Sequence, residues 1–195
     1  MKKIMFNDRY RLNQAVLEGR KTNTRRIIPT NLYNRVDWKA FEEGNYNCII
    51  TDEVSTSTDI RDYAAYRIGE EVAIAQSYND IFHIVSSDIR SVIDKIDCNN
   101  KGWSNKMFVR AHLMPHRIRT TNVRVERLQD ISDEDCIKEG VVLKNGRYIV
   151  ETYKGVTFYT TDARLAFKYL IDKTCGRGTW DSNPYVFVYD FELVK

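Results

Sequence analysis

The stretch "LEGRKTNTRRII", residues 17–28, packs four basic side chains and two threonine hydroxyls into positions 19–26 with no acid among them. Upstream, "KIMF" (3–6) has the composition of a short strand, and Asn7 or Asp8 can cap a helix whose Leu12, Ala15 and Val16 fall on one face. Gly19 then ends that helix as its C′ residue, where a left-handed backbone is wanted. "TNTRRII" (22–28) reads as the start of a strand. The basic motif is therefore expected at a helix-to-strand junction. Being three apart, Lys21 and Thr24 would point to opposite faces of a regular strand, but they converge if Lys21 belongs to the turn.

Outward from this junction, residues 30–66 are polar and irregular with scattered aromatics, which suggests a long loop or hairpin excursion over the core. "GEEVAIAQSY" (69–78) predicts a turn and a buried strand. Ile81, Val85, Ile89, Val92, Ile93 and Ile96 recur at three and four, predicting one amphipathic helix over 79–97, inserted between strands. "MFVRAHL" (107–113) and "RIRTTNVRVERLQ" (117–129) read as two more strands. Ser132 with Asp135 makes a capping-box-like start for a short helix that ends at Gly140.

Within that short helix, Asp133, Glu134 and Asp135 suit the positive N-terminal end, whereas Glu139 sits in the last turn. There the helix dipole disfavours a carboxylate by up to about 1 kcal/mol, which is weak evidence for a role elsewhere. Asn145-Gly146 marks a hairpin, and Ala163, Phe167, Leu170 and Ile171 mark a helix closed by Gly176. The chain ends in "NPYVFVYDFEL" (183–193), a strand whose alternating Tyr185, Phe187, Tyr189 and Phe191 read as core. Hairpin-linked strands with helices between some of them predict an α+β fold with a curved or barrel-like sheet. The expectation is one domain over 1–195, with insertions at about 30–66 and 79–100.

Composition narrows the function classes. With 195 residues and 43% apolar side chains, the chain is long and apolar enough to bury a substantial core without staples. No apolar run reaches membrane-spanning length, and the start turns polar too soon for a signal-peptide core, so a cytoplasmic protein with no membrane partner is expected. Cys48, Cys98, Cys136 and Cys175 form no CxxC pair and read as reduced, mostly buried thiols. His112 and His116 are four apart, but Pro115 breaks any helix that would aim them at one ion, so no metal and no cofactor is expected.

The net charge of +3 is unevenly spread. Nine acids between 41 and 80 face only Arg61 and Arg67, whereas Lys106, Arg110, Arg117, Arg119, Arg124 and Arg127 face only Glu126. Brought together, the two basic stretches would make one positive surface; kept apart, each is a solvated strand face. Arg117 and Arg119 are candidate phosphate contacts, and Trp103 or Trp180 a base-stacking platform for RNA or another single-stranded nucleic acid.

Three segments in order, "LEGRKTNTRR", "RVERLQDISDEDCIKEG" and "TWDSNPYVFVYDFEL", resemble the ASCH domain, in the version common among phage and prophage proteins. The resemblance implies a PUA-like mixed pseudo-barrel related to RNA-binding domains. It also implies, for one branch, hydrolysis of the amide of acetylated cytidine, with a Lys and a Thr from "GRKTxT" and a Glu from the following short helix. Those positions are Lys21, Thr24 and Glu139, and Arg26 falls where that branch carries an Arg. The branch is shorter, and most of the two insertions has no counterpart in it.

An amide is attacked only by an activated nucleophile. Thr24 would need a base such as Lys21, and Glu139 would protonate the leaving amine. Arg20, Arg25 and Arg26 are candidate sources of the positive potential that would bring Lys21 toward neutrality, and candidate contacts to a nucleoside or to RNA. A plainer alternative is an ion pair between Lys21 and Glu139 that pins the helix to the motif. At the level of function three readings stand: an amidohydrolase on an acylated nucleoside, a non-catalytic nucleic-acid-binding module, and a protein-interaction module presenting the 79–97 helix.

Overall fold

Two long strands form the spine of the computed structural model, in which residues 1–49 and 58–194 are described. The strands are β1 (Lys3–Ile4), β2 (Asn23–Ile27), β3 (Glu71–Ile74), β4 (Arg117–Arg127), β5 (Val142–Lys144), β6 (Arg147–Thr152), β7 (Gly155–Thr160) and β8 (Tyr185–Val194). A five-stranded mixed sheet runs β1-β3-β4-β8-β2, parallel only between β1 and β3, and an antiparallel meander runs β5-β6-β7. Among the described residues no ladder joins the edge strands β1 and β2, so the sheet is not a closed barrel. The gap between the edges is spanned by a side chain: Arg26 Nη2 of β2 donates to the Met5 carbonyl just after β1, at 2.7 Å.

β8 is central and buried on both faces. Val186 and Val188 face one core with Ile4, Phe6, Leu12 and the apolar side of a long helix, while Tyr185, Phe187 and Tyr189 face a second core. The first helix, α1 (Leu12–Leu17), starts later than the sequence suggests. Asn7 and Asp8 hold a turn instead of a cap, and Arg11, with φ of 55°, precedes the helix. Gly19 does end it, with φ of 73°. The 30–66 excursion carries α2 (Thr30–Tyr33) and α3 (Trp38–Glu42), and its Leu32, Val36, Ile49 and Ile60 build the second core on β8. It is thus part of the packing; its residues 50–57 lie outside the described residues.

The single helix expected over 79–97 is broken into α4 (Tyr78–Ile81) and α5 (Ser87–Ile93). Ser77 closes a full capping box with Asp80, and Ser86, with φ of −59° and ψ of 161°, leaves the helical region and breaks the run without a side-chain cap, so local backbone choices override one apolar period. "MFVRAHL" is not a strand. Asn105 caps a 3₁₀ turn at Lys106–Phe108, a second covers Ala111–Leu113, and both flanks of β3 are already taken by β1 and β4. With α6 (Lys101–Ser104), these pieces form a third core around Tyr78, Ile81 and Met114. The thiols divide evenly: Cys48 and Cys136 are buried, Cys98 and Cys175 exposed.

The last two helices are where the sequence placed them. α7 (Asp133–Lys138) is capped by Ser132, which accepts from Asp135 N, and α8 (Ala163–Cys175) by Asp162, which accepts from Leu165 N. Asn145 and Gly146, with φ of 52° and 70°, turn β5 into β6. α7 ends at Gly140, where φ is 111° and an added Cβ would lie 2.6 Å from Leu12 Cδ2. Gly140→Ala is therefore expected to lower stability by about 1–3 kcal/mol through backbone strain and overpacking. The check is a lower urea midpoint at an unchanged slope.

No helix among the described residues is long and apolar enough to cross a membrane.

Candidate active site

The junction after α1 is tied down at both ends. Arg20 N and Lys21 N both donate to the Ala15 carbonyl, Thr22 N donates to Lys138 O at the end of α7, and Phe191 N donates to Thr22 O. These backbone bonds bring Lys21 against the C-terminus of α7, so that residues 118 apart in sequence meet: Lys21 Nζ donates to Glu139 Oε2 at 2.6 Å. Its other two hydrogens go to the Asn23 and Glu139 carbonyls, both at 2.8 Å. All three ammonium donors are thus used. Lys21 lies before β2 and Thr24 within it, and both line one cavity of about 250 Å³.

Glu139, placed against local helix preference, is held by two cations. Lys21 takes one carboxylate oxygen and Arg25 Nη1 the other, at 3.3 Å. Arg25 has its side chain almost wholly buried and also donates to Glu126 Oε1 (2.6 Å) and Asp135 Oδ2 (2.8 Å). Arg124 continues the network to Asp135, Glu126 and Asp190. Strand register explains the cluster: Arg25 and Arg124 flank Val188 from either side, and all three point at α7.

Burial is the main force on Lys21 and pushes its pKa down; Glu139 pulls it back up, and Arg26 and Arg25 contribute only weakly to the lowering. Desolvation therefore outweighs the neighbouring arginines at Lys21, and Arg25 is itself neutralised by three carboxylates. Burial likewise opposes the charge on Asp135, but Arg25, Arg124 and Lys138 outweigh it and hold its carboxyl below the usual range.

The structure brings Lys21, Thr24, Glu139, Arg25 and Arg26 to one cavity, with Phe6, Leu12 and Phe167 as apolar walls. It does not bring Arg20, Arg117, Arg119 or Trp103 there. Arg20 pairs with Glu18 on the surface. Arg119 bonds Glu71 and Glu192, its direct cross-strand neighbours, and Arg117 also reaches Glu71. Trp103 is half-buried against Phe82 in the third core, and Trp180 packs on Phe167. The acid-rich and base-rich stretches neutralise each other in part: Glu42 meets Arg127, and Glu71 meets Arg117 and Arg119. His116 Nδ1 is engaged by Gln76 Oε1 at 2.7 Å.

Sequence reasoning missed Asp135, Glu126 and Arg124 as supports of the site; the signal for Arg124 and Glu126 was period-two spacing on β4, which needs the sheet register to interpret, and Asp135 on α7 read only as a first-turn acid of its helix. It also missed Asn23, fully buried with neither side-chain polar atom partnered among the described residues. Such an amide costs about 1–3 kcal/mol and marks the junction as polar beyond what packing needs. Comparison with family models, with curated protein sequences and with solved structures returned no match.

Proposed function

We propose that the protein hydrolyses the amide of a small N-acylated nucleoside, an acylated cytidine being the first candidate, on a PUA-like pseudo-barrel. The observation that carries this reading is a fully buried lysine on a carboxylate, opening into a cavity that also holds a threonine. The cavity falls just under the roughly 300–1,000 Å³ of drug-sized sites and suits one base or a small amide. The edge strands bridged by Arg26, with no ladder between them, support the pseudo-barrel reading.

Because every Lys21 hydrogen is engaged in the resting ion pair, the reaction begins with a proton passing from Nζ to Glu139 Oε2, an exchange that burial favours. The neutral amine then takes the Thr24 hydroxyl proton as Oγ1 bonds to the acyl carbon. Glu139 returns its proton to the leaving nitrogen, and the carbon–nitrogen bond breaks. Water next cleaves the threonine ester, giving its proton to Glu139 and its hydroxyl to the acyl group, while Lys21 reprotonates Thr24. Proton return from Glu139 to Lys21 restores the pair.

Incubation with N4-acylated cytidines followed by chromatography tests the reading: released cytidine and carboxylic acid in equal amounts are expected, and their absence for every acyl chain would sink it. The second reading, a non-catalytic binding module, is favoured by the same saturated ammonium, which is what a purely structural pair would present. The interaction-module reading expected one helix over 79–97 as its partner surface; that segment is two short helices, with Ile84 and Val92 exposed.

A further inference from the structure

A second cavity of about 290 Å³ adjoins the first, and Met5 and Arg26 line both. Its floor is Phe187 and Tyr189 of β8, and its rim carries Tyr63, Tyr66, Ile27 and Lys3. The aromatic stripe of β8 is therefore both core and cavity floor. Tyr63 and Ile27 are exposed enough to meet a ligand.

The two cations of this cavity differ from those around Lys21. Arg26 donates to the Met5 carbonyl, and Lys3 to the Met107 and Val109 carbonyls, and among the described residues neither has a carboxylate partner. Arg20, Lys21, Arg25, Arg117, Arg119 and Arg124 all have one. Among the described residues, positive charge without a carboxylate partner thus stands at the wall between the cavities and again at the far rim. A flat group joined through an anion to the occupant of the first cavity fits this pattern: the anion at Arg26, the ring on the aromatic floor.

We infer that the second cavity is a subsite for the nucleotide adjoining the one held beside Lys21, so that the protein takes a phosphodiester-linked, single-stranded substrate in preference to a free nucleoside. The inference rests on the nucleoside reading of the first cavity but not on hydrolysis there. A duplex would not serve, because two neighbouring bases must leave their stack to enter separate cavities.

The test is a calorimetric titration of the intact protein with cytidine, cytidine monophosphate, and the dinucleotides cytidylyl-uridine and uridylyl-cytidine. At least one dinucleotide is expected to bind about tenfold or more tighter than the monophosphate, the gain a stacked base supplies. Tyr63→Ala should erase that gain and leave monophosphate binding unchanged. Ile27→Ser, which strips apolar area from the exposed rim without adding charge, should do the same, which keeps the test valid if the tyrosine variant is poorly folded. Dinucleotides no tighter than the monophosphate, or no binding of either, would overturn the subsite. If acylated cytidine is never hydrolysed yet the dinucleotide gain and its loss in both variants persist, hydrolysis falls and the subsite stands. If hydrolysis occurs with no dinucleotide gain, the reverse holds.

Discussion

Lys21→Ala, Thr24→Ala and Glu139→Gln are each expected to slow release of cytidine from its acylated form by at least about 100-fold, and by up to about 10,000-fold, the range a positioned acid or base contributes. In the proposed mechanism the three groups serve one proton circuit in which each depends on the others, so the triple variant should be little worse than the worst single one. The Lys21 to Glu139 distance of 2.6 Å is what makes that circuit short. Binding of unacylated cytidine separates roles: Thr24→Ala should lose turnover at nearly unchanged affinity, since its hydroxyl is needed only once the bond is being made. Steady-state kinetics with a parallel titration of the product checks both parts. Independent, multiplicative losses across the three variants would show that they do not act together, and full activity in Thr24→Ala would remove the covalent step.

Some of this site could be read directly from local chemistry. Gly19 and the Asn145-Gly146 pair announce a left-handed backbone that few residues tolerate, Ser132 announces a side-chain cap, and each element boundary they mark is present. Glu139 showed itself as a carboxylate at the wrong end of a helix. What no local pattern reveals is which strands lie side by side. Arg119 looks like a free phosphate contact until β3 and β8 are seen to set Glu71 and Glu192 directly opposite it. Arg25 looks like a substrate contact until α7 delivers Asp135 and Glu139 to it. The 79–97 period failed for a different reason: apolar spacing of three and four survives a break when the backbone leaves the helical region at Ser86, between two short helices that pack into the same core. The meeting of Lys21 with Glu139 was likewise an expectation from resemblance alone, since nothing in spacing joins them.

Arg25→Met is expected to cost about 3–5 kcal/mol of stability at pH 7, more than Lys21→Met, because breaking a buried ion network leaves the remaining charges uncompensated. Arg25 alone touches all of Glu126, Asp135 and Glu139; without it the three carboxylates are left with Arg124, Lys138 and Lys21, none of which reaches all three. Lys21→Met removes a buried ammonium as well as a contact, and Glu139 keeps Arg25, so its cost is smaller. The pH dependence gives the cause away. In the wild type, Asp135 has its folded pKa lowered, so its contribution is complete above the unfolded value of about 3.9 and is lost as pH falls through the folded value. In Arg25→Met, Asp135 loses the first of the cations that hold its folded pKa down, so the stability it supplies above its unfolded value of about 3.9 shrinks, and nothing is lost where it is protonated in both states. The stability gap, measured as urea midpoints at a series of pH values, should therefore be widest near neutral pH and narrow as pH falls below about 4. A gap that stays constant over that range would mean that Arg25 contributes through the packing of its side chain and not through the charges it holds.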